Sequence, residues 1–372
     1  MRLIPMSMIR PGMKLGKPII SDEGHTLLGF QVELTQGLIN KLKQMGFQQL
    51  YIADQRTDDI YIADALREET RAVVRSQLIR TFQTLQNSRA LTAGDRHTLF
   101  KTAMQCISQV KDDLHLHIRP TDDTIMLMQM NRSTFSIFEH FYQNALNVCV
   151  YATRIGMIEG YSREDLEALS LGAMFHDVGN TQVPQELLLK ATALTPIEYA
   201  EIQKHTEYGF QLLKETPGIP LLAAHCALQH HEKIDGTGYP HRLSGTGVHP
   251  FAQWVGLLDA YDAMTNPRPY RPSLPPDHAL EILFTGAGTL YDKSKVEFFR
   301  NKVAIYPVGL SVRLSTGQCG IVSKINPTLK QRPVVRILTD EHGEDLKHPE
   351  EIDLSKHLHI MIFSIGEDAL VH

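Results

Sequence analysis

His230-His231-Glu232-Lys233-Ile234-Asp235-Gly236-Thr237-Gly238-Tyr239-Pro240 is the stretch on which the reading of this chain turns. Two adjacent imidazoles lead into a loop marked by glycines and a proline. An adjacent His176-Asp177 pair precedes it by about fifty positions, and an isolated Asp259 follows. Imidazole nitrogens with a shared carboxylate are the donor set of two borderline divalent cations. Such ions, about 3.5 to 4 Å apart, supply a hydroxide nucleophile and neutralise charge on phosphate oxygens. A bridging carboxylate sets that separation, and Asp177, beside His176 at the end of a predicted helix, is placed to be the bridge. His205, His230 and His231 then complete one cation site, with His176 and Asp259 at the other. A lone histidine or aspartate is more often a core or surface residue than a ligand, so His205 and Asp259 weigh little singly. The His230-His231 doublet weighs more, because two buried imidazoles side by side need partners. His225, His241 and His249 lack such support and read as ordinary histidines.

Outward from these strings, helical signals dominate from about residue 124 to residue 300. Ser162 with Asp165 offers a helix start, Leu166, Leu169, Ala173 and Phe175 continue a buried face up to His176, and Gly179 is expected to end that helix. Thr195-Pro196-Ile197-Glu198 combines a Thr cap, a first-turn proline and a reciprocal Glu. His205, three residues after Ile202, is expected to point inward.

Four segments are expected: a small α/β module over 1–60, a long helix and linker over 61–123, the helical domain over 124–302 and a β-rich C-terminal region over 303–372, mainly α as a whole. In the module, Asp22-Glu23-Gly24 reads as a hairpin turn between Ile19-Ile20 and Leu27-Leu28. Thr35 starts a helix that Gly46 stops, and Leu50-Tyr51-Ile52 resumes as a strand. Leu66, Val73, Val74, Leu78, Phe82 and Leu85 form one stripe of a helix from Asp64 to about Asn87, able to pack inside the chain or to make a homodimer. The charged stretch from about Asp95 to Asp123 is the expected linker. Val308, Leu310, Val312 and Leu314 alternate, Ser315-Thr316-Gly317-Gln318 turns, and Ile321-Val322 returns as a strand.

A chain of 372 residues with 42% apolar content has ample material for packed cores. No apolar run approaches the roughly 20 residues of a membrane span, and Met1-Arg2-Leu3-Ile4-Pro5 is unlike a signal sequence. A cytoplasmic location is expected. The four cysteines, Cys106, Cys149, Cys226 and Cys319, lie far apart and suggest neither a zinc knuckle nor a disulfide framework. A net charge of −5 argues against binding a nucleic acid polymer.

His176-Asp177-Val178-Gly179, the eleven-residue stretch at 230–240 and Asp259-Ala260-Tyr261-Asp262-Ala263-Met264-Thr265 closely resemble the HD-GYP family, a branch of the HD metal-dependent phosphohydrolases. The likeness covers roughly residues 124 to 300. It implies an all-helical domain with two or three divalent ions, usually iron or manganese, that opens cyclic di-GMP to linear pGpG or to GMP in bacterial second-messenger signalling. By motif, the ligands would be His176, Asp177, His205, His230, His231 and Asp259, with His176 and Asp177 the catalytic pair. Asp235, Gly238 and Tyr239 would shape the pocket for a cyclic dinucleotide, the Gly-Tyr-Pro loop would also face a partner protein, and Lys233 could touch phosphate or pair with Glu232. Arg268 and Arg271 fall where the family grips phosphate, and guanidinium groups suit that task.

The chain departs from the family pattern at two places. Asn144 stands where a first histidine ligand is usual. Its amide oxygen would be a poor ligand, the cation at His176 and Asp259 would be held more weakly, and His140, one turn earlier, would be the helper. Asn180 stands where a lysine is usual, which removes a charge near the phosphate. Slow or absent turnover is implied, and a cyclic dinucleotide sensor or protein-contact platform is the rival to the enzyme.

Overall fold

Side-chain caps set several helix boundaries in the computed structural model, which describes residues 1–21, 25–62, 65–87, 92–117, 123–126, 137–190, 192–266 and 273–366. The Thr35 hydroxyl accepts from the Leu38 N–H at the start of α1 (Gln36–Gln44), and Gly46 closes the turn beyond it with φ +82°. Ser162 accepts from the Asp165 N–H ahead of α5 (Arg163–Phe175), and Thr195 with Glu198 forms a full capping box ahead of α7 (Pro196–Gln203). The expected turn at Asp22-Glu23-Gly24 lies outside the described residues. Strands β2 (Ile19–Ile20) and β3 (Thr26–Leu28) on either side of it pair antiparallel.

The chain packs as two units, each drawn from separated stretches. The first takes Met1–Asp64, Met126–Ser133 and Asn301–His372; the second takes Ala65–Ile125 and Thr134–Arg300. Within the first, β1 (Arg2–Pro5) pairs antiparallel with β4 (Gln49–Ile52), and α1 buries Ile39 and Leu42 against Ile4, Leu15, Leu34 and Leu50. Short strands β5 (Ile125–Met126) and β6 (Val303–Ala304) precede a five-stranded antiparallel sheet. Its members are β7 (Ser311–Leu314), β8 (Cys319–Lys324), β9 (Val334–Thr339), β10 (Asp345–Asp353) and β11 (Ile362–Ile365), in the order β10-β9-β8-β7-β11. The N-terminal module and the C-terminal sheet, read from sequence as separate pieces, share this unit. The Leu3 N–H donates to the Gly309 carbonyl at 3.0 Å, Arg56 pairs with Asp345 at 2.6 Å, and Ile60 and Ile62 pack on Ile321 and Leu338.

The second unit is helical. Helix α2 (Glu68–Asn87) buries Val74, Leu78, Phe82 and Leu85, so its apolar stripe is spent within its own unit and does not itself motivate a homodimer; Val73 departs from the stripe and is 39% exposed. The expected linker is instead helix α3 (Ala93–His117). Leu99, Ala103, Cys106, Ile107, Val110 and Leu114 recur every three or four residues along its buried side, a periodicity masked by the charges between them. Helices α4 (Ile137–Ile158), α5, α9 (Leu221–Gln229) and α10 (Pro250–Thr265) form the packed centre, with α8 (His205–Lys214) against α9. A short α6 (Gln185–Leu188) leads to α7, and α11 (Pro276–Thr285) and α12 (Lys293–Lys302) complete the unit. All four cysteines are buried free thiols. Among the described residues no helix is long and apolar enough to cross a membrane.

One buried carboxylate ties α2 to α3. Asp113, fully buried, accepts from the Arg67 backbone N–H at 2.9 Å and from Arg67 Nε at 2.7 Å, and so serves the start of α2 from a neighbouring helix. Burial alone would raise its pKa, but the Arg67 hydrogen bonds and charge override that and hold it below the ordinary carboxylate value. Asp113→Ala should therefore cost about 1 to 3 kcal/mol at neutral pH, measured by denaturant unfolding. The deficit should narrow as pH falls below about 3.9, where the wild-type carboxylate begins to lose its own contribution.

Candidate metal centre

Four segments deliver the clustered side chains. His176 caps the end of α5 and Asp177 follows it, His205 begins α8, His230 caps the end of α9 with His231 next, and Asp259 lies on α10. Asp177, His205, His230 and His231 each present a ligand atom within 4.8 Å of the others. Asp177 Oδ1 lies 3.3 Å from His205 Nε2 and 3.6 Å from His230 Nε2, and the two imidazole nitrogens are 3.5 Å apart. A tetrahedral ion with bonds of about 2.1 Å has donor atoms about 3.4 Å apart, so these edges suit one. On the other side of the carboxylate, His176 Nε2 is 3.7 Å from Asp177 Oδ2 and 3.7 Å from Asp259 Oδ1.

The imidazoles are oriented from behind. His176 Nδ1 meets the Ala173 carbonyl at 2.8 Å, His205 Nδ1 the Ile202 carbonyl at 2.8 Å, and His230 Nδ1 the Ala227 carbonyl at 2.9 Å. A carbonyl oxygen only accepts, so in the neutral ring the proton sits on Nδ1 and the Nε2 lone pair faces the cluster. His176 Nε2 is buried without a hydrogen-bond partner. Three inward lone pairs around a carboxylate, one of them orphaned, fit a divalent cation.

Electrostatics agree with that fit. Burial would lower the His176 pKa, but the Asp177 and Asp259 charges raise it to about 9. Burial would raise Asp177, yet the surrounding imidazoles hold it well below the carboxylate range, and His176 does the same to Asp259. His205 and His231 are pushed down by burial and by neighbouring imidazoles. The carboxylates therefore remain anionic, and their side chains stay 15% exposed, open to a ligand from solvent.

Close backbone approach lets the segments converge. A Cβ on Gly179 would lie 1.8 Å from the His205 carbonyl oxygen, and one on Gly256 would lie 2.2 Å from that of His230. Gly179 is not in the left-handed conformation of a helix stop. Its place in the sequence reflects the approach of His205 to the His176-Asp177 segment, not the helix termination expected from sequence.

Asn144 corrects the sequence reading. Its amide nitrogen, not its oxygen, faces the centre, donating to Asp259 Oδ1 at 3.1 Å and to Asp262 Oδ2 at 2.9 Å. Between two carboxylates the donor end is the stable one, and in this arrangement Asn144 gives hydrogen bonds and does not present its amide oxygen. His140 is buried one turn earlier on α4 and stands outside the four-residue cluster. The Asn180 amide donates to the Asp177 carbonyl at 3.1 Å and so holds backbone.

On the loop, the Tyr239 ring stacks on His231 with centroids 4.7 Å apart, and Gly238 is buried with its Cα against Glu232. Lys233 turns to Tyr291, with Nζ 3.4 Å from its hydroxyl and 4.4 Å from the ring centroid, and burial lowers its pKa. Asp235 is exposed and spends its carboxylate on the Thr237 N–H and hydroxyl. Arg268 and Arg271 lie outside the described residues. Sequence reasoning missed Tyr291 and the loop clamp of Glu232, whose two oxygens accept the His241 and Leu243 N–H groups at 2.7 and 3.0 Å. It also missed Asp262, although its spacing of three from Asp259 on one helix was a usable signal.

Residues 130–294 match the family model described as an HD domain, and residues 311–368 match one described as a KOW domain associated with HD domain. The chain is 29% identical over 220 residues to the cyclic di-GMP phosphodiesterase PA4108 of Pseudomonas aeruginosa, covering 59% of this chain and 52% of that protein. It is 36% identical over 140 residues to a cyclic di-GMP phosphodiesterase of Vibrio cholerae, covering 36% and 28% of the two chains. It is 30% identical over 151 residues to the 3'3'-cGAMP-specific phosphodiesterase 2 of the same species, covering 40% and 29%. The chain thus spans about half the length, or less, of these curated relatives.

Gly179→Ala and Gly256→Ala should each force the ligand-bearing backbones apart. Each should lower stability by about 1 to 3 kcal/mol and weaken divalent-ion binding, read by thermal unfolding with and without added Mn2+. Unchanged unfolding in both variants would contradict the close-approach account.

Proposed function

We propose that the chain, whose residues 130–294 match an HD domain, is an HD-GYP metal-dependent phosphodiesterase opening cyclic di-GMP to linear pGpG or GMP. The observation that carries the reading is the convergence of Asp177, His205, His230 and His231, whose ligand atoms lie within 4.8 Å of one another, with His176 and Asp259 beside them. Iron or manganese is the proposed metal, and Asp177 with His205, His230 and His231 on one side and His176 and Asp259 on the other would hold two such ions. Once bound, such ions lower the pKa of water and neutralise phosphate charge.

The protein's own groups do the positioning. The carbonyl-anchored Nδ1 atoms aim the imidazoles, and the Tyr239 ring on His231 walls the loop side. Lys233, half-buried beside Tyr291, would supply positive charge for the phosphates. Arg268 and Arg271 are the proposed outer grips. Gly238 and Asp235 shape the loop, on which a partner protein would dock, and the chain would act in the cytoplasm on a nucleotide messenger. A homodimer would have to use a face other than the α2 stripe.

The rival is a binding role, as sensor or platform. It is favoured by Asn144, which gives Asp259 a hydrogen bond where a ligand would otherwise stand, and by Asn180, which carries no charge.

Protein loaded anaerobically with Fe2+ or Mn2+ should convert cyclic di-GMP to linear product, and His176→Ala or Asp177→Ala should cut the rate by about a hundredfold or more. Product formation by the native chain no greater than by either variant would leave the binding role. A parallel assay on 3'3'-cGAMP decides which cyclic dinucleotide is preferred.

A further inference from the structure

Asn144 and Asn147 lie three residues apart on α4; Asp259, Asp262 and Asn266 follow at spacings of three and four along α10 and at its C-terminal cap. Such spacings place each set on one helix face. The two faces meet in a buried network. Asn144 Nδ2 donates to Asp259 Oδ1 at 3.1 Å and to Asp262 Oδ2 at 2.9 Å, while Asn147 Nδ2 and Asn266 Nδ2 donate to Asp262 Oδ1 at 2.8 and 2.7 Å. Gln143 Nε2 in turn donates to Asn147 Oδ1 at 2.7 Å, fixing which way that amide faces. Asn144, Asn147, Asp262 and Asn266 are all buried.

The arrangement makes the two halves of the centre chemically unequal. Asp259 Oδ1, which accepts from Asn144, is the same oxygen that lies 3.7 Å from His176 Nε2. On this side a cation would find one imidazole, a carboxylate already sharing an oxygen with an amide, and the far oxygen of Asp177. On the other side three imidazoles and Asp177 bring their ligand atoms within 4.8 Å of one another. Imidazole is the stronger donor to borderline transition ions, and amide N–H is no donor to a cation at all.

We propose that Asn144, backed by Asp262, is a positioning residue that aims the Asp259 carboxylate at His176 while withholding a ligand, so that the centre takes two cations with unequal affinity. The first enters among Asp177, His205, His230 and His231, and the second sits more weakly at His176 and Asp259. This rests on the reading of the cluster as a divalent-ion site. It adds the order of filling and the residues that set it.

Calorimetric titration of the metal-free full chain with Mn2+, alongside direct metal analysis, tests this on the native protein and on Asn144→His, Asn144→Asp and Asp262→Asn. The native chain should bind in two steps whose affinities differ by about tenfold or more. Asn144→His or Asn144→Asp should tighten the second step by about tenfold with the first unchanged, and Asp262→Asn should weaken the second. Asn144→Asp keeps the size of the side chain and gathers three carboxylates. Its metal-free Tm should fall while its gain in Tm on adding Mn2+ exceeds that of the native chain. A merely structural role would lower Tm equally with and without the ion. Two equal steps in the native chain, or a second step unmoved by both Asn144 variants, overturns the inference and leaves the divalent-ion reading standing; failure of the native chain to bind Mn2+ overturns both.

Discussion

The Asp177 carboxylate, surrounded by imidazole Nε2 atoms at 3.3, 3.6 and 3.7 Å, is the interaction on which the helical unit is organised. Four imidazoles and two carboxylates brought this close are costly to desolvate unless charge is balanced within the cluster. The protein meets that cost by keeping both carboxylates anionic, and their charges in turn raise the His176 pKa. A divalent cation would offer the same balance with more charge. The backbone carbonyls of Ala173, Ile202 and Ala227 fix the rings in advance, so little rearrangement separates the cluster from a coordinated centre.

The surrounding fold is shaped by the same requirement. Ligand-bearing segments come from the ends of α5 and α9, the start of α8 and the face of α10, and helix ends must approach more closely than packed side chains allow. Gly179 against His205 and Gly256 against His230 remove the side chains that would hold them apart. The loop that follows His231 is tied down by Glu232 through two backbone N–H groups, which keeps Tyr239 on the imidazole it covers. Behind the centre, Asn144 and Asn147 on α4 donate to Asp262 on α10, which Asn266 at the end of α10 also serves.

Features that depend on neighbours in sequence were legible from sequence. The Thr195 capping box, the Ser162 cap and the Gly46 stop all follow from residues a few positions apart, and each appears where expected. The strings around His176, His230 and Asp259 were legible because they concentrate rare residue types. Features that depend on distant residues were not. The stripe of α3 lies under charges that read as a linker, and the union of the N-terminal module with the C-terminal sheet depends on contacts such as Leu3 with Gly309, between opposite ends of the chain. The direction of the Asn144 amide depends on two carboxylates more than a hundred positions away, so sequence alone did not reveal it. Gly179 looked like a helix stop because the carbonyl it makes room for is on another element.

X-ray absorption on the full chain carrying one equivalent of Mn2+ or Zn2+ tests the central claim most directly, since it reports the atoms around the ion. Convergence of Asp177, His205, His230 and His231 predicts a first shell dominated by nitrogen, with the outer-shell scattering of about three imidazole rings and an oxygen from a carboxylate. A shell of oxygen atoms without imidazole scattering would contradict it.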